Sequence, residues 1–384
     1  MTLTENPTRI VVKLGTNILS TRKQWSQDVP RSTGKHQPEG HIDLAYLHRI
    51  ADQITRLRSM GKQVIIVTSG AIGMGAGELG MDKRVKGVDL RQACAAIGQP
   101  LLMQEYRSAL GIYGLTVAQI LITREVLNNR TSYNNLRNSV ETLLSLGVIP
   151  IFNENDTVST DEIGSAFGDN DQLSALVASK IDAELLIILS DIDALYDSDP
   201  RSREDAKPLA YVQELTPEIF ALAGEKGSEF STGGMKTKLK AVEIARDAGC
   251  WVVITHGRTP DVLVQIAKGE PLGTRFAPTS PLKNRTRWLK NARPSGHITI
   301  DDGALEAIKK KKSLLAKGVV QVNGNFHGNT VVNVNGIAHL LCPFSSDELR
   351  QIMGKHSHEI SGILGPGTKE LIARPEDIVF LQGT

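Results

Sequence analysis

Residues 154–171 read ENDTVSTDEIGSAFGDND and crowd carboxylates and amides into one expected loop. Like charges repel, so such a segment needs a compensating partner: a metal ion, an ammonium group on a ligand, nearby lysines or bulk water. The calcium-loop template, with alternating Asp or Asn positions closed by a glutamate, is absent. No His or Cys lies within the stretch, which weakens the case for zinc. An ammonium-binding pocket, an organiser of nearby lysines and a solvated loop remain open. Gly164 and Gly168, with a helix expected from about Asp171, favour an ordered site over mere solvation.

Cationic counterparts lie elsewhere in the chain. STGGMKTKL, residues 231–239, places two adjacent glycines at the start of an expected helix and Lys236 and Lys238 in its first turns. Positive charge there opposes the helix dipole unless a polyanion sits nearby; a glycine turn before a basic amphipathic helix is the plainer alternative. Lys13 ends a buried apolar run, where an ammonium is costly unless an anion meets it, and Gly15 allows the backbone a close turn beside it. A lysine snorkelling from a strand edge explains that position as well. Ser69, Gly70 and Ala71 follow the second apolar run and precede an expected helix, an arrangement that suits either an anion or a plain turn.

Other motifs are set aside. Residues 75–80 fit G-x-G-x-x-G, but they begin well after the strand and lack an acidic partner about 20 positions on, so a dinucleotide fingerprint is rejected. No Walker-type phosphate loop occurs. His356 and His358 stand without a cysteine or clustered carboxylate and read as surface residues. Cys94, Cys250 and Cys342 are widely separated, form no C-x-x-C pair and have no activating base nearby, so they read as reduced thiols rather than nucleophiles.

The elements that must position these residues follow from periodicity. Residues 9–14, 63–68, 115–120, 148–152, 185–190 and 251–254 are short apolar, β-branched runs and are expected as buried strands. Leu44, Leu47, Ile50, Ile54 and Leu57 share one helical stripe, as do Leu136, Val140, Leu143 and Leu144. Strand and helix in alternation predict an α/β, three-layer sandwich around a mainly parallel sheet, whose ligands bind beyond the carboxyl ends of the strands. The composition changes near residue 280. A polar, basic, proline-punctuated segment is read as a linker over 281–294, and short strands with a lysine run at 309–312 suggest a small β-rich domain over 295–384. Residues 1–280 then form the larger domain. Residues 21–40 are polar and aperiodic, and are read as a loop able to cover a ligand.

The 384 residues are 40% hydrophobic with a net charge of +2, which fits a globular protein and marks no global field for nucleic acid or membrane. Aromatic residues are only 4%, too sparse for a stacking surface for single strands. No run approaches the roughly 18 apolar residues of a membrane span, and no secretory core opens the chain; the expected location is the cytoplasm.

Taken in order, VVKLGT, VTSGAIG, the GQ at residues 98 and 99, NENDTV, GDNDQLSA, the SD before DALY, DPR and STGGMKTKL resemble the glutamate 5-kinases of the amino-acid kinase family. The tail, including GNFHG and HSHEISGILG, is similar to a PUA domain. The resemblance implies ATP-dependent phosphorylation of the γ-carboxylate of L-glutamate with Mg²⁺, the first step of proline synthesis. It assigns Lys13 and Lys238 to the phosphoryl group in flight and Asp171 to holding both lysines. It assigns Ser69, Asn153, Asp156, Asp169 and Asn170 to the amino acid. Ser190 and Asp191, with Thr232, Gly233, Gly234, Met235, Lys236, Thr237, Lys238 and Lys13, fall to the nucleotide. A homo-oligomer (dimer or tetramer), feedback inhibition by proline and RNA contact through the PUA-like domain are further implications. Two features depart from the family: EIGSAFGDND lacks the Lys or Arg that many members carry before GDND, and residues 21–40 form a longer segment than expected. The competing readings are an N-acetylglutamate kinase, whose neutral amide needs fewer carboxylates, and an RNA-binding protein acting through the tail.

Overall fold

In a computed structural model, which describes residues 6–20, 42–81, 85–123, 126, 130–158, 170–200, 203–223 and 234–381, the chain divides into two compact units, Met1–Pro281 and Leu282–Thr384. The apolar runs of the first unit become β1 (Arg9–Leu14), β2 (Gln63–Val67), β3 (Val117–Ile122), β4 (Ile149–Glu154), β5 (Leu185–Ser190), β6 (Tyr211–Val212), β7 (Trp251–His256) and β8 (Thr274–Phe276). They form one sheet in the order β3-β4-β2-β1-β5-β7-β8-β6. Every pairing is parallel except β7 with β8.

Successive side chains of a strand point to opposite faces, and the two cores follow that alternation. Ile10, Val12 and Leu14 join Val64, Ile66, Leu185, Ile187 and Leu189 on one face. Val11 joins Ile65, Val67, Leu186 and Ile188 on the other. The first face is closed by helix Leu44–Ser59, which starts where the Asp43 side chain accepts from the Tyr46 N–H at 2.9 Å and buries Leu47, Ile50, Ile54 and Leu57. The second face is covered by helices Asn170–Lys180 and Met235–Arg246, through Leu173, Ala175 and Val177 and through Leu239, Val242 and Ala245. Two covered faces account for strands that are apolar along almost their whole length.

The expected strand over 115–120 instead begins at Val117, because the Leu115 N–H bonds back to the Leu110 carbonyl at 3.2 Å and finishes the preceding helix, Val88–Gly111. Very short β6 and β8 carry too few residues for a recognisable run.

The second unit holds β9 (Gly296–Ile300), β10 (Val319–Asn323), β11 (Thr330–Val334), β12 (Ala338–Cys342) and β13 (Ile378–Phe380) in the order β10-β9-β11-β12-β13. Its core gathers Ile298, Val332, Leu340, Leu349 and Ile360. Helix Asn284–Asn291 lies within the segment read as a linker, and Leu289 packs with Val331 of this unit. Lys309 and Lys310 are exposed, each 3.8 Å from Glu306, so this end of the lysine run belongs to a solvated helix end.

Candidate active site

Parallel strands deliver their carboxyl ends to one edge, and β1, β2, β4 and β5 deliver chemistry there. Lys13 pairs in register with Val67 and Ile188, one residue before β1 ends. The alternation that sends Val11 to the second face sends Lys13 there too, beneath the start of helix Asn170–Lys180. Asp171 sits in the first turn of that helix, where the dipole favours a carboxylate.

The three charges meet there. Lys13 Nζ is 2.5 Å from Asp171 Oδ1, and Lys238 Nζ donates to Asp171 Oδ2 at 2.8 Å. Asp171 is fully buried, and Lys13 and Lys238 are only 4% and 5% exposed. Buried charges require such pairing, because either alone would lose its hydration without compensation. Gly15 leaves the ammonium room: a Cβ there would come within 3.3 Å of Lys13 Nζ.

Beside this bridge lies a chain of amides. Asn170 Nδ2 donates to the Thr68 carbonyl at 2.5 Å, to Ser69 Oγ at 2.8 Å and to Asn153 Oδ1 at 2.9 Å. Asn153 Nδ2 donates to Gln99 Oε1 at 2.8 Å. The amide chain thus ties the ends of β2 and β4 to helices Asn170–Lys180 and Val88–Gly111. Asp156, half-buried just after β4, has its carboxyl raised above the usual carboxylate range by burial, with the Arg91 guanidinium pulling it back in part. A desolvated carboxylate short of positive charge suits a ligand that brings an ammonium group.

On the other side, Ser190 Oγ donates to Asp191 Oδ1 at 3.2 Å, and Asn17 Nδ2 donates to Asp191 Oδ2 at 3.0 Å. Helix Met235–Arg246 starts at Gly234, whose carbonyl accepts from Thr237 Oγ1 at 2.8 Å. Its first turn carries no acidic residue, keeps Lys236 exposed and buries Lys238. Amides at a helix start flanked by two ammonium groups are chemically suited to phosphate oxygens.

The structure therefore brings Lys13, Asp171 and Lys238 into contact and joins Ser69, Asn153 and Asn170 by hydrogen bonds. Asp169, Thr232 and Gly233, the loop over 162–168 and the segment 21–40 lie outside the described residues. Gln99, Thr68 and Asn17 join the site without having been assigned a role. The first two lie within the family-like GQ and VTSGAIG motifs, which signalled them; Asn17 contacts Asp191 across 174 residues and had no such signal. Among the described residues no three His, Cys, Asp or Glu side chains converge as a cation site. All three cysteines are buried; burial pushes the Cys250 thiol up and the Cys342 thiol up to about 11.

A mainly parallel, doubly covered sheet with two buried lysines paired through one aspartate at its carboxyl edge is the architecture of an α/β phosphotransferase. Residues 8–256 match the Amino acid kinase family and residues 296–364 the PUA domain, and the chain belongs to the amino acid kinase family. Across nearly its whole length it is similar to proteins named glutamate 5-kinase. The one from Methanosarcina mazei is 46% identical over 380 residues, with 97% of this chain and 96% of the relative covered. That of Methanosarcina barkeri is 44% identical, covering 97% of each chain. One from a Cyanothece strain is 40% identical, covering 97% of this chain and 99% of the relative.

Proposed function

We propose that this chain transfers the γ-phosphoryl group of ATP to the γ-carboxylate of L-glutamate, giving L-glutamyl 5-phosphate and ADP, the first step of proline biosynthesis. The observation that carries the reading is the buried Lys13–Asp171–Lys238 bridge beside the Ser69–Asn170–Asn153 amides. A γ-carboxylate oxygen attacks the γ-phosphorus, the bond to the bridging oxygen breaks, and ADP leaves with the electron pair. A carboxylate is already a nucleophile, so the catalyst needs no strong base. It needs two anions aligned and their repulsion cancelled. Lys13 and Lys238 supply that cancellation from a dry site where their charge is least screened, and Asp171 fixes where both ammonium groups stand.

Asp156 and the Asn170 carboxamide receive the α-ammonium, while Ser69 and Asn153 complete the amino-acid pocket; the family resemblance assigns Asp169 to the same ligand. The nucleotide takes the edge formed by Ser190, Asp191 and residues 234–238, and the family resemblance assigns Thr232 and Gly233 to it as well. With both oxygens of Asp171 engaged by lysines, the donor set suits Mg²⁺ arriving on ATP with its waters. The ion then supplies charge neutralisation on the phosphate oxygens.

N-acetylglutamate kinase chemistry fits less well, because a neutral amide offers Asp156 no compensating charge. The same reading extends to a cytosolic homo-oligomer inhibited by proline and to an RNA contact by the PUA-type unit. Sedimentation, a proline titration of the rate and salt-dependent RNA binding address these in turn. The central test is ADP release with Mg²⁺ and L-glutamate, N-acetyl-L-glutamate or L-aspartate, with hydroxylamine trapping the acyl phosphate. Turnover with L-glutamate and hydroxamate formation are expected; preference for the acetylated substrate would overturn the assignment.

A further inference from the structure

We infer that Gln99 is a positioning residue that sets the hydrogen-bond polarity of the amino-acid pocket, an inference that rests on the glutamate-kinase reading above. Two backbone groups decide which way the amides point. The Glu154 N–H donates to Asn153 Oδ1 at 2.9 Å, and the Thr68 carbonyl accepts from Asn170 Nδ2 at 2.5 Å. A backbone N–H can only donate and a carbonyl can only accept, so neither side-chain amide can be turned round.

The consequences run in both directions along the chain. Asn153 Oδ1, fixed as an acceptor, also receives Asn170 Nδ2 at 2.9 Å, and its own Nδ2 must then find an acceptor. Gln99 Oε1 is that acceptor, at 2.8 Å. At the other end, the two N–H bonds of Asn170 Nδ2 are shared among the Thr68 carbonyl, Asn153 Oδ1 and, at 2.8 Å, Ser69 Oγ; the Ser69 proton cannot point back at this donor and is left for an anionic oxygen of the substrate. Asn170 Oδ1 is turned away from these acceptors and becomes one itself, as an ammonium requires.

Gln99 pins the far end of this relay. It is 7% exposed within helix Val88–Gly111, and its Nε2 has no hydrogen-bond partner among the described residues. A buried amide N–H left unmatched is costly, but it accompanies the acceptor that Asn153 must have. Its place is held by close backbone packing: a Cβ on the neighbouring Gly98 would lie 1.9 Å from the Ala71 carbonyl oxygen. Without the Gln99 acceptor, the simplest repair is rotation of the Asn153 carboxamide. That would turn its Nδ2 against the Glu154 N–H and Asn170 Nδ2, donor against donor.

The experiment compares the full chain with Gln99→Met, of similar length but without an acceptor, and Gln99→Glu, which keeps one. For Gln99→Met we expect KM for L-glutamate to rise about tenfold or more, with KM for ATP within about twofold of the parent. Gln99→Glu should recover L-glutamate KM to within about threefold. An active parent and a folded Gln99→Met with unchanged L-glutamate KM would overturn the relay alone. A parent without L-glutamate turnover would overturn the functional reading, and the relay with it. If Gln99→Met does not fold, Gln99→Glu carries the test, and a rise above tenfold in its L-glutamate KM overturns the inference.

Discussion

Lys13 and Lys238 hold opposite oxygens of one fully buried carboxylate, that of Asp171, at 2.5 and 2.8 Å. One anion between two cations leaves positive charge in excess at the sheet edge, ready for a terminal phosphate. Replacing either lysine by alanine leaves Asp171 still paired with the other, so the fold should survive. The loss should fall on the transition state, with kcat lower by roughly 10²-fold or more. Steady-state rates alongside circular dichroism check this; near-normal turnover in either variant would remove that lysine from the chemistry.

Removal of the shared anion should behave differently. Asp171→Asn removes the carboxylate that two neighbouring buried ammonium groups share, and breaking a buried pair costs about 3–5 kcal/mol. Denaturant unfolding should therefore rank Asp171→Asn well below either lysine variant in stability. A non-hydrolysable ATP analogue, by bringing negative charge to the same lysines, should stabilise Asp171→Asn more than it stabilises the parent. Equal stabilisation of both proteins would count against phosphate binding at this bridge.

Asp156 makes a prediction about pH. Burial raises its carboxyl above the ordinary value, so the ligand-free fold binds this proton more tightly than the unfolded chain. Above that raised value the ionised group costs stability, and the cost is recovered as the pH falls through it. A substrate ammonium requires the ionised form, so KM for L-glutamate should rise as the pH is lowered through the same window. Asp156→Asn should make the ligand-free protein slightly more heat-resistant at neutral pH and raise KM for L-glutamate about tenfold, without the acid limb. A parent KM that is flat across the acid range would sink this assignment.

How legible the site was depends on the range of its contacts. β1 and β5 could be bounded from their apolar runs, because strands buried on both faces leave few positions for polar residues. Lys13 stood out as a charge within such a run, and Lys238 as a cation at a helix start. Their convergence on Asp171 required the sheet order, which places β1 beside β5 and lays two helices over the same face. The Asn153–Gln99 bond spans 54 residues and depends on a helix crossing that no local pattern encodes. Helix Asn284–Asn291 was hidden because prolines and basic residues around it mimic a linker, while only a few apolar side chains such as Leu289 anchor it.

That helix crossing supplies the last prediction. Helices Ala71–Glu78 and Val88–Gly111 approach so closely that a Cβ at Gly98 would lie 1.9 Å from the Ala71 oxygen and 2.4 Å from the Gly75 nitrogen. A Cβ at Gly75 would lie 1.9 Å from the Cys94 oxygen. Both obstacles are backbone, so no side chain can swing aside and the helices must separate. Gly98→Ala and Gly75→Ala should each cost about 1–3 kcal/mol as overpacking, read from denaturant midpoints. Ala71 begins its helix two residues after Ser69, and Gly98 directly precedes Gln99. The separation should therefore also reach the pocket, raising KM for L-glutamate more than KM for ATP. Gly73→Ala, where a Cβ meets nothing within 4 Å, serves as the control in the same helix: it should leave both KM values unchanged and, through helix propensity alone, raise stability by up to about 1 kcal/mol. If Gly98→Ala matched that control in stability and in both KM values, the close crossing would have no part in holding the site.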